Sequence, residues 1–433
     1  MDEKLSQLSP QQKRELLQKL LREKQIAESS EAAGSVREFP LSAGQRALWF
    51  GYRRDPRQTA YNVFLPSRFH DAMDLQRLER AVDRLVKRHD ALRTTFAEHE
   101  SDNHPVQRVA SMGNHEFRVI DCESWSSEKL NRRVLAETQR PFDLTTGPLL
   151  RVACFRVRTD DIVIVATTHH IVVDFWSLVL MMSEIEFLYR EQTLPRASSR
   201  YAEFVRTQDR TTNSPDGDRL RDYWRSKLAG VSPRLQLATD FPRPKQFTHR
   251  ASVQPFRLES GVVEKIAALA RRLNVTENAI VLALVQALLA RFSSQDSFTV
   301  GTPFSGRLKQ DFESTVGFFV NVLPIVADLS QSPTLSDLSR QVGRSMVDAL
   351  ANEALPFSDI VKTIKPARDN SHHPLFQVSC TFEKSHLTEE QGRAGFLLGD
   401  EGASRQFAGM RQEAYFVEHP TCHYDLEFVF EFT

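Results

Sequence analysis

Net charge is the first thing this sequence lacks. Its 56 lysines and arginines are matched by 56 aspartates and glutamates, so no global field draws it to nucleic acid or to an anionic membrane. Long apolar runs are missing too: no window reaches the ~18 uninterrupted apolar residues that a membrane helix requires. The polar N-terminus, MDEKLSQLSPQQKRELLQKLLREKQ, has no apolar core of a secretion signal. Cysteine is scarce, and Cys122, Cys154, Cys380 and Cys422 are scattered without a Cys-x-x-Cys pair. In a large chain without a secretion signal they read as reduced, mostly buried thiols of a cytoplasmic protein. No metal or nucleotide motif is present, and no Gly-x-Ser-x-Gly elbow lies near the histidine pair described below.

What remains is an ordinary globular composition, 41% apolar and 26% charged. A length of 433 residues favours two or three domains of ~100–200 residues each. Ser9 and Pro10 open a short helix as N-cap and first residue, with Leu16, Leu17, Leu20 and Leu21 as a narrow apolar stripe. AESSEAAGSVREFP (27–40) reads as a linker. Residues 1–38 therefore form an appendage, either a solvated, partly docked helix or a docking element. The body alternates strands, such as ALRTTFAEH and IVIVATTHH, with amphipathic helices, such as DLQRLERAVDRLVKRHD and FWSLVLMMSEIEFLYREQ. TNSPDGDR (212–219) is the most turn-rich stretch near mid-chain, and a similar alternation resumes beyond it. Two α/β lobes follow, an N-terminal one over 39–212 and a C-terminal one over 213–433. YDLEFVFEFT, at the C-terminus, alternates as a half-buried strand does.

The chemistry concentrates in TTHHIVVDFWSLV, residues 167–179. The β-branched run before it ends a strand at His169 and His170. Asp174 falls where the following helix needs an N-cap, so its structural reading is a cap or a buried ion-pair partner. Successive residues of an extended chain point opposite ways, so one histidine faces a cleft and the other packs inside. A metal reading is weak, since His-His-x-x-x-Asp is not the HExxH helix and no clustered third ligand is apparent, and Ser177 sits within the helix rather than on a strained turn. One neutral imidazole beside a carboxylate is the equipment of proton transfer, or of orienting a substrate nucleophile.

HHIVVDFWS resembles the HHxxxD signature of the condensation domains of nonribosomal peptide synthetases. PLSAGQRALWF (40–50), RHDALRTTF (88–96), PFDLTTGPLLR (141–151), VGTPFSGR (300–307), VGFFVNVLP (316–324) and HHPLFQV (372–378) are similar to further motifs of that family, in its order. The resemblance covers residues 39–433. It implies two chloramphenicol-acetyltransferase-like lobes, each an α+β two-layer sandwich, in a V with a central tunnel. It also implies amide formation between a donor acyl thioester and an acceptor amine. Each would arrive on a carrier protein, on a phosphopantetheine arm, at opposite mouths of a monomer that binds no cofactor itself.

By the same resemblance His170 is the catalytic residue, His169 packs internally, and Asp174 pairs with Arg307. Ser177 and Asn321 lie near the substrate path, Asn321 as a strand-end residue or a contact to the arm. Gly301, Gly306 and Gly317 allow close backbone approach. Phe175 stands where the family usually has glycine, which reshapes the donor side if its ring points inward. DFWS and GQRALWF look like members that follow polyketide modules, so a polyketide carrier is a plausible donor. Epimerisation and heterocyclisation domains fit less well. The chain stops where a further strand and helix would be expected, as an excised piece or a short variant would. Two alternatives stay open: an acyltransferase that releases the chain onto a free amine or alcohol, and a recruitment module without catalysis.

Overall fold

The computed structural model describes residues 36–101, 103–195, 199–367, 369–383, 396, 402–418 and 420–431. The expected N-terminal helix and its leucine stripe lie outside them. The described body opens with β1 (Arg37–Pro40), α1 (Ala43–Arg54), β2 (Asn62–Phe69), α2 (Leu75–Arg88), β3 (Thr94–Glu98) and β4 (Pro105–Val109). β5 (Glu116–Asp121), α3 (Ser127–Thr138), β6 (Leu150–Arg158), β7 (Asp161–His169) and α4 (Phe175–Tyr189) follow. Two helices then lead into the second half, α5 (Tyr201–Thr212) and α6 (Pro215–Lys227). That half contains α7 (Ser260–Leu273), α8 (Glu277–Ser293), β8 (Ser297–Phe304), β9 (Asn321–Asp328), α9 (Leu335–Ala351), α10 (Phe357–Ile364) and β10 (Val378–Glu383). The last described strands are β11 (Ser404–Phe407), β12 (Met410–Ala414) and β13 (Leu426–Glu431).

The described strands form three sheets: β1-β4-β3, a six-stranded β11-β12-β2-β7-β6-β5, and β13-β10-β8-β9. The central β7 is apolar without alternation because both of its faces are covered. Ile162 and Ile164 pack into the core shared with α2 and α4, whereas Val163 and Val165 meet Leu130 and Val134 of α3. α2 presents Leu78, Ala81, Val82, Leu85 and Val86 to the first of these cores, the spacing of a one-sided helix. In the second half α8 and α9 cover the sheet, with Leu282, Val285, Phe298, Val300, Leu323, Ile325 and Val342 in one core.

The mid-chain TNSPDGDR stretch is a correction to the sequence reading. Only its first residues break the helix; Ser214 caps α6, Pro215 takes its first position, and Asp216 and Asp218 sit in its first turn. Capping serine, N1 proline and acidic residues at the positive end of the helix dipole are start signals that composition alone scores as turn. A second finding has no counterpart in the sequence: β12, far along the chain, joins the histidine-bearing sheet by pairing antiparallel with β2, Gln412 opposite Phe69. Among the described residues no single helix is long and apolar enough to cross a membrane.

Candidate active site

β7 ends at His169, paired opposite Asn62 of β2, and the chain turns at once through a short 3-10 segment, His170–Val172. The His170 amide donates to the Tyr61 carbonyl at 2.8 Å. Its ring Nδ1 lies 2.6 Å from the Val173 carbonyl. A carbonyl only accepts, so Nδ1 carries the proton and the neutral ring holds its lone pair on Nε2. Burial pulls the His170 pKa below the ordinary histidine value, against the opposing pull of the Val173 carbonyl and Asp174. The Phe318 ring meets the imidazole edge-on, with centroids 5.0 Å apart. Gln45, in the capping box that starts α1, donates to the Ile171 carbonyl at 3.1 Å and braces the same turn.

His169 lies buried near Phe142 and Tyr61. Its Nδ1 accepts the Ile171 amide at 3.1 Å, and burial lowers its pKa from 6.5 to about 3. The unfolded chain therefore binds a proton that the folded one refuses. Stability is full above pH 6.5 and falls as pH drops toward 3, by about 1.4 kcal/mol per pH unit at most for each such histidine. His170 and His373 are shifted the same way, His373 to about 4. Urea unfolding at about pH 7.5 and about pH 5 should show this acid loss. His169→Asn, whose Oδ1 can keep the Ile171 contact, should reduce it.

Asp174 caps α4, taking the Ser177 amide at 2.8 Å on Oδ1. It also reaches into the other half, where Arg307 Nη2 lies 3.0 Å from Oδ1 and the Phe319 amide 3.1 Å from Oδ2. Arg307 donates further to the carbonyls of Phe312 at 2.5 Å and Thr315 at 2.8 Å, and to Ser177 Oγ at 3.0 Å. The guanidinium covers the Phe319 ring at 4.0 Å. Both side chains are almost fully enclosed, 1% and 4% exposed, and burial lowers the Arg307 pKa while Asp174 opposes the shift. Ser177 Oγ donates to the Gly317 carbonyl and accepts the Gly317 amide, each at 3.0 Å. Asp174, Ser177 and Arg307 are thus one cross-half bolt, four and seven positions past His170 on the near side and held from the far side by Arg307 and the Gly317 and Phe319 main chain.

Gly306 and Gly317 let that bolt close. Gly306 has φ +65°, and a β-carbon there would stand 2.0 Å from the Phe319 carbonyl oxygen; at Gly317 one would meet the Tyr201 ring at 2.1 Å. Gly306→Ala should therefore lower the melting temperature and weaken the Arg307 contacts, since both conformation and space oppose it. Gly301 is elsewhere, on β8, where it admits the Phe376 ring. Asn321 also turns away: its amide donates to the carbonyls of Glu353 and Leu355, both at 2.9 Å, and its oxygen takes the Phe357 amide at 2.9 Å. Phe175, first residue of α4, is partly buried.

Sequence reasoning missed Tyr61, Phe318 and Tyr201. Tyr201 donates its hydroxyl to the Phe318 carbonyl and accepts from Ser42 Oγ, tying α1, α5 and the second half together. Two phenols and a phenyl ring, in a turn, a helix start and a loop, carry no local signal of such a role. Two sizeable cavities, about 560 and 500 Å³, flank α5 and the end of α2, and His170 lines neither. Among the described residues no group of three or more His, Cys, Asp and Glu side chains is placed to hold a metal ion.

The family model for the condensation domain matches residues 35–430. The chain belongs to the condensation-domain family. Condensation domains of nonribosomal peptide synthetases are acyltransferases that form amide bonds, working with carrier-protein and neighbouring synthetase domains and carrying no cofactor of their own. A linear gramicidin synthase of Brevibacillus parabrevis is 32% identical over 386 residues, covering 85% of this chain and 5% of that protein. Chondramide synthase cmdD of Chondromyces crocatus is 34% identical over 356 residues, covering 80% and 9%. This condensation domain thus spans a small part of the length of these relatives. The four-domain nonribosomal peptide synthetase holo-AB3403, bound to AMP and glycine, shares the fold with a TM-score of 0.81 at 24% identity, over 92% of this chain and 30% of that one.

Proposed function

We propose that this condensation domain joins an acyl group, held as a thioester on an upstream carrier protein, to the amine of an aminoacyl group on a downstream carrier. The phosphopantetheine arms belong to the carriers, and a polyketide-type carrier is an admissible donor. The observation that carries the reading is His170 Nε2, a lone-pair nitrogen on a neutral, partly buried imidazole where the two halves meet. The amine nitrogen attacks the thioester carbon; the C–N bond forms, the C–S bond breaks, and one amine proton ends on the departing sulfur.

His170 accepts a hydrogen bond from the amine and aims its lone pair at the carbonyl carbon. An α-amine has an unperturbed pKa of about 7.7–8.0, so an appreciable neutral fraction exists without a strong base. Holding two tethered reactants in attack geometry lowers the barrier by several kcal/mol, ~7–11 in ideal cases. Proton transfer from the tetrahedral intermediate is the second role of His170. Asp174, Arg307 and Ser177 act at a distance, fixing the turn that carries it.

Intact-mass spectrometry tests the reading. An acyl-loaded donor carrier and an aminoacyl-loaded acceptor carrier are mixed with the protein, and the acyl mass should move to the acceptor. Transfer to soluble amines or alcohols, with none to the acceptor carrier, would replace this reading by chain release. Binding of both carriers with no transfer to any acceptor would replace it by recruitment.

A further inference from the structure

The segment leading into β13 brings a second imidazole beside the His170 turn. Tyr61 joins the two. Its carbonyl accepts the His170 amide at 2.8 Å, and its ring packs against that of His423 with centroids 4.8 Å apart. His249 and His373 lie around the same group, 6.3 Å from the Tyr61 ring and 4.7 Å from the Tyr424 ring respectively.

His423 differs from its neighbours in what holds it. His170, His249 and His373 each direct Nδ1 at a main-chain carbonyl, of Val173, Cys422 and Phe376. His423 Nδ1 instead faces the carboxylate of Glu427, 3.4 Å from Oε1. That oxygen also takes the backbone amides of His423 and Tyr424, the latter at 3.0 Å. Burial pushes the Glu427 pKa up, yet His423 and these amides leave it below the ordinary carboxylate value. An ionised carboxylate only accepts, so Nδ1 is the nitrogen that carries a proton there, and with one proton on the ring the lone pair falls on Nε2. That Nε2 is buried and has no hydrogen-bond partner among the described residues. The condensation reaction described so far has no use for it.

A neutral primary amine presents two N–H bonds and one lone pair. Two lone-pair nitrogens can each accept one N–H, which leaves the amine lone pair a single direction. We propose that His423, held by Glu427, is the second contact to the acceptor amine beside His170, and that the pair selects primary over secondary amines. The inference rests on the amide-forming reading above. It requires no further reactant: C–N forms, C–S breaks, and the released proton passes by either imidazole to the thiolate.

The experiment compares two acceptor carriers, one bearing the aminoacyl group that wild type acylates fastest and one bearing its N-methyl form, with rates read by intact mass. His423→Ala, checked for folding by circular dichroism, should slow the primary amine ~10–100-fold, the value of one hydrogen bond in an enclosed site. The N-methyl amine, with one N–H left for His170, should slow less than about threefold, since no second hydrogen bond is there to lose. The loss should fall on kcat, with KM for the acceptor carrier unchanged, because the carrier itself docks elsewhere. Glu427→Gln can keep its amide oxygen toward Nδ1 and on both main-chain amides, which leaves Nε2 an acceptor, and should therefore retain most of the primary-amine rate. His423→Gln, with an oxygen near the Nε2 position, should recover part of the rate. Equal slowing of both amines, or no slowing of the primary one, would overturn the inference while leaving amide formation intact. Wild type inactive with both carriers would overturn the amide-forming reading and the inference with it.

Discussion

His170→Ala is expected to slow acyl transfer between carriers by ~10²–10⁴-fold, the usual range for removing a positioned acid–base group, with little change in stability. The His170 main chain is held by its amide on the Tyr61 carbonyl and by the Val173 amide on its carbonyl, and its ring by Nδ1 on the Val173 carbonyl and by the edge-on Phe318 ring. Only the ring contacts are lost with the side chain, so the turn survives on the main-chain bonds and on the Gln45 contact to Ile171. Single-turnover rates by intact mass, with circular dichroism as the folding control, measure the effect. A loss near the lower end marks orientation as the main contribution; one near the upper end adds proton transfer. The pH profile discriminates further. Burial holds the His170 pKa below 6.5, so rates corrected for the neutral fraction of the acceptor amine, whose own pKa is about 7.7–8.0, should persist as pH falls through 6.5 and decline only below it. Rates unchanged by the substitution would remove His170 from the chemistry.

Arg307→Ala is expected to cost about 3–5 kcal/mol of stability, because it strands a buried carboxylate. The loss reaches beyond Asp174. Phe312 and Thr315 lose the donor to their carbonyls, and Ser177 Oγ loses one of its three partners. Asp174→Ala should fall in the same range, since it uncovers the guanidinium, the Phe319 amide and the start of α4. The double substitution should cost less than the sum, because neither charge is then left alone; groups in one network do not add. Denaturant titration of all three proteins checks this, and additive costs would show that Arg307 and Asp174 act independently. Activity should fall with stability here, whereas in His170→Ala it falls alone. That contrast separates the group that meets substrate from the groups that hold it.

Some of this was legible in the residues. α2, α4, α7 and α8 follow from apolar spacing and capping residues, and β7 and β8 from short β-branched runs between turn signals. These are short-range effects, decided within a few turns or one strand, and a sequence records them directly. The placement of a histidine at the end of β7 and of Asp174 at a helix start is local in the same way.

What only the tertiary structure decided is long-range. The Asp174–Arg307 contact links positions 133 residues apart, and the residues' own spacing is silent about it; a family resemblance alone suggested that pairing. β12 crossing to β2 was not legible at all, and for Asn321 the residues left a strand-end place and a contact to the arm both open, because strand-edge pairing and side-chain direction depend on which surfaces the folded chain brings together. His423 is the sharpest case. In PTCHYDLEF it is one histidine before an edge strand; beside Tyr61, with Glu427 behind it and a buried Nε2 that has no partner among the described residues, it becomes a candidate contact for substrate. The sequence determined the elements and the chemistry available at each. The fold determined which of those groups share one small volume, and solvation there sets which nitrogen carries a proton and which is free to accept one.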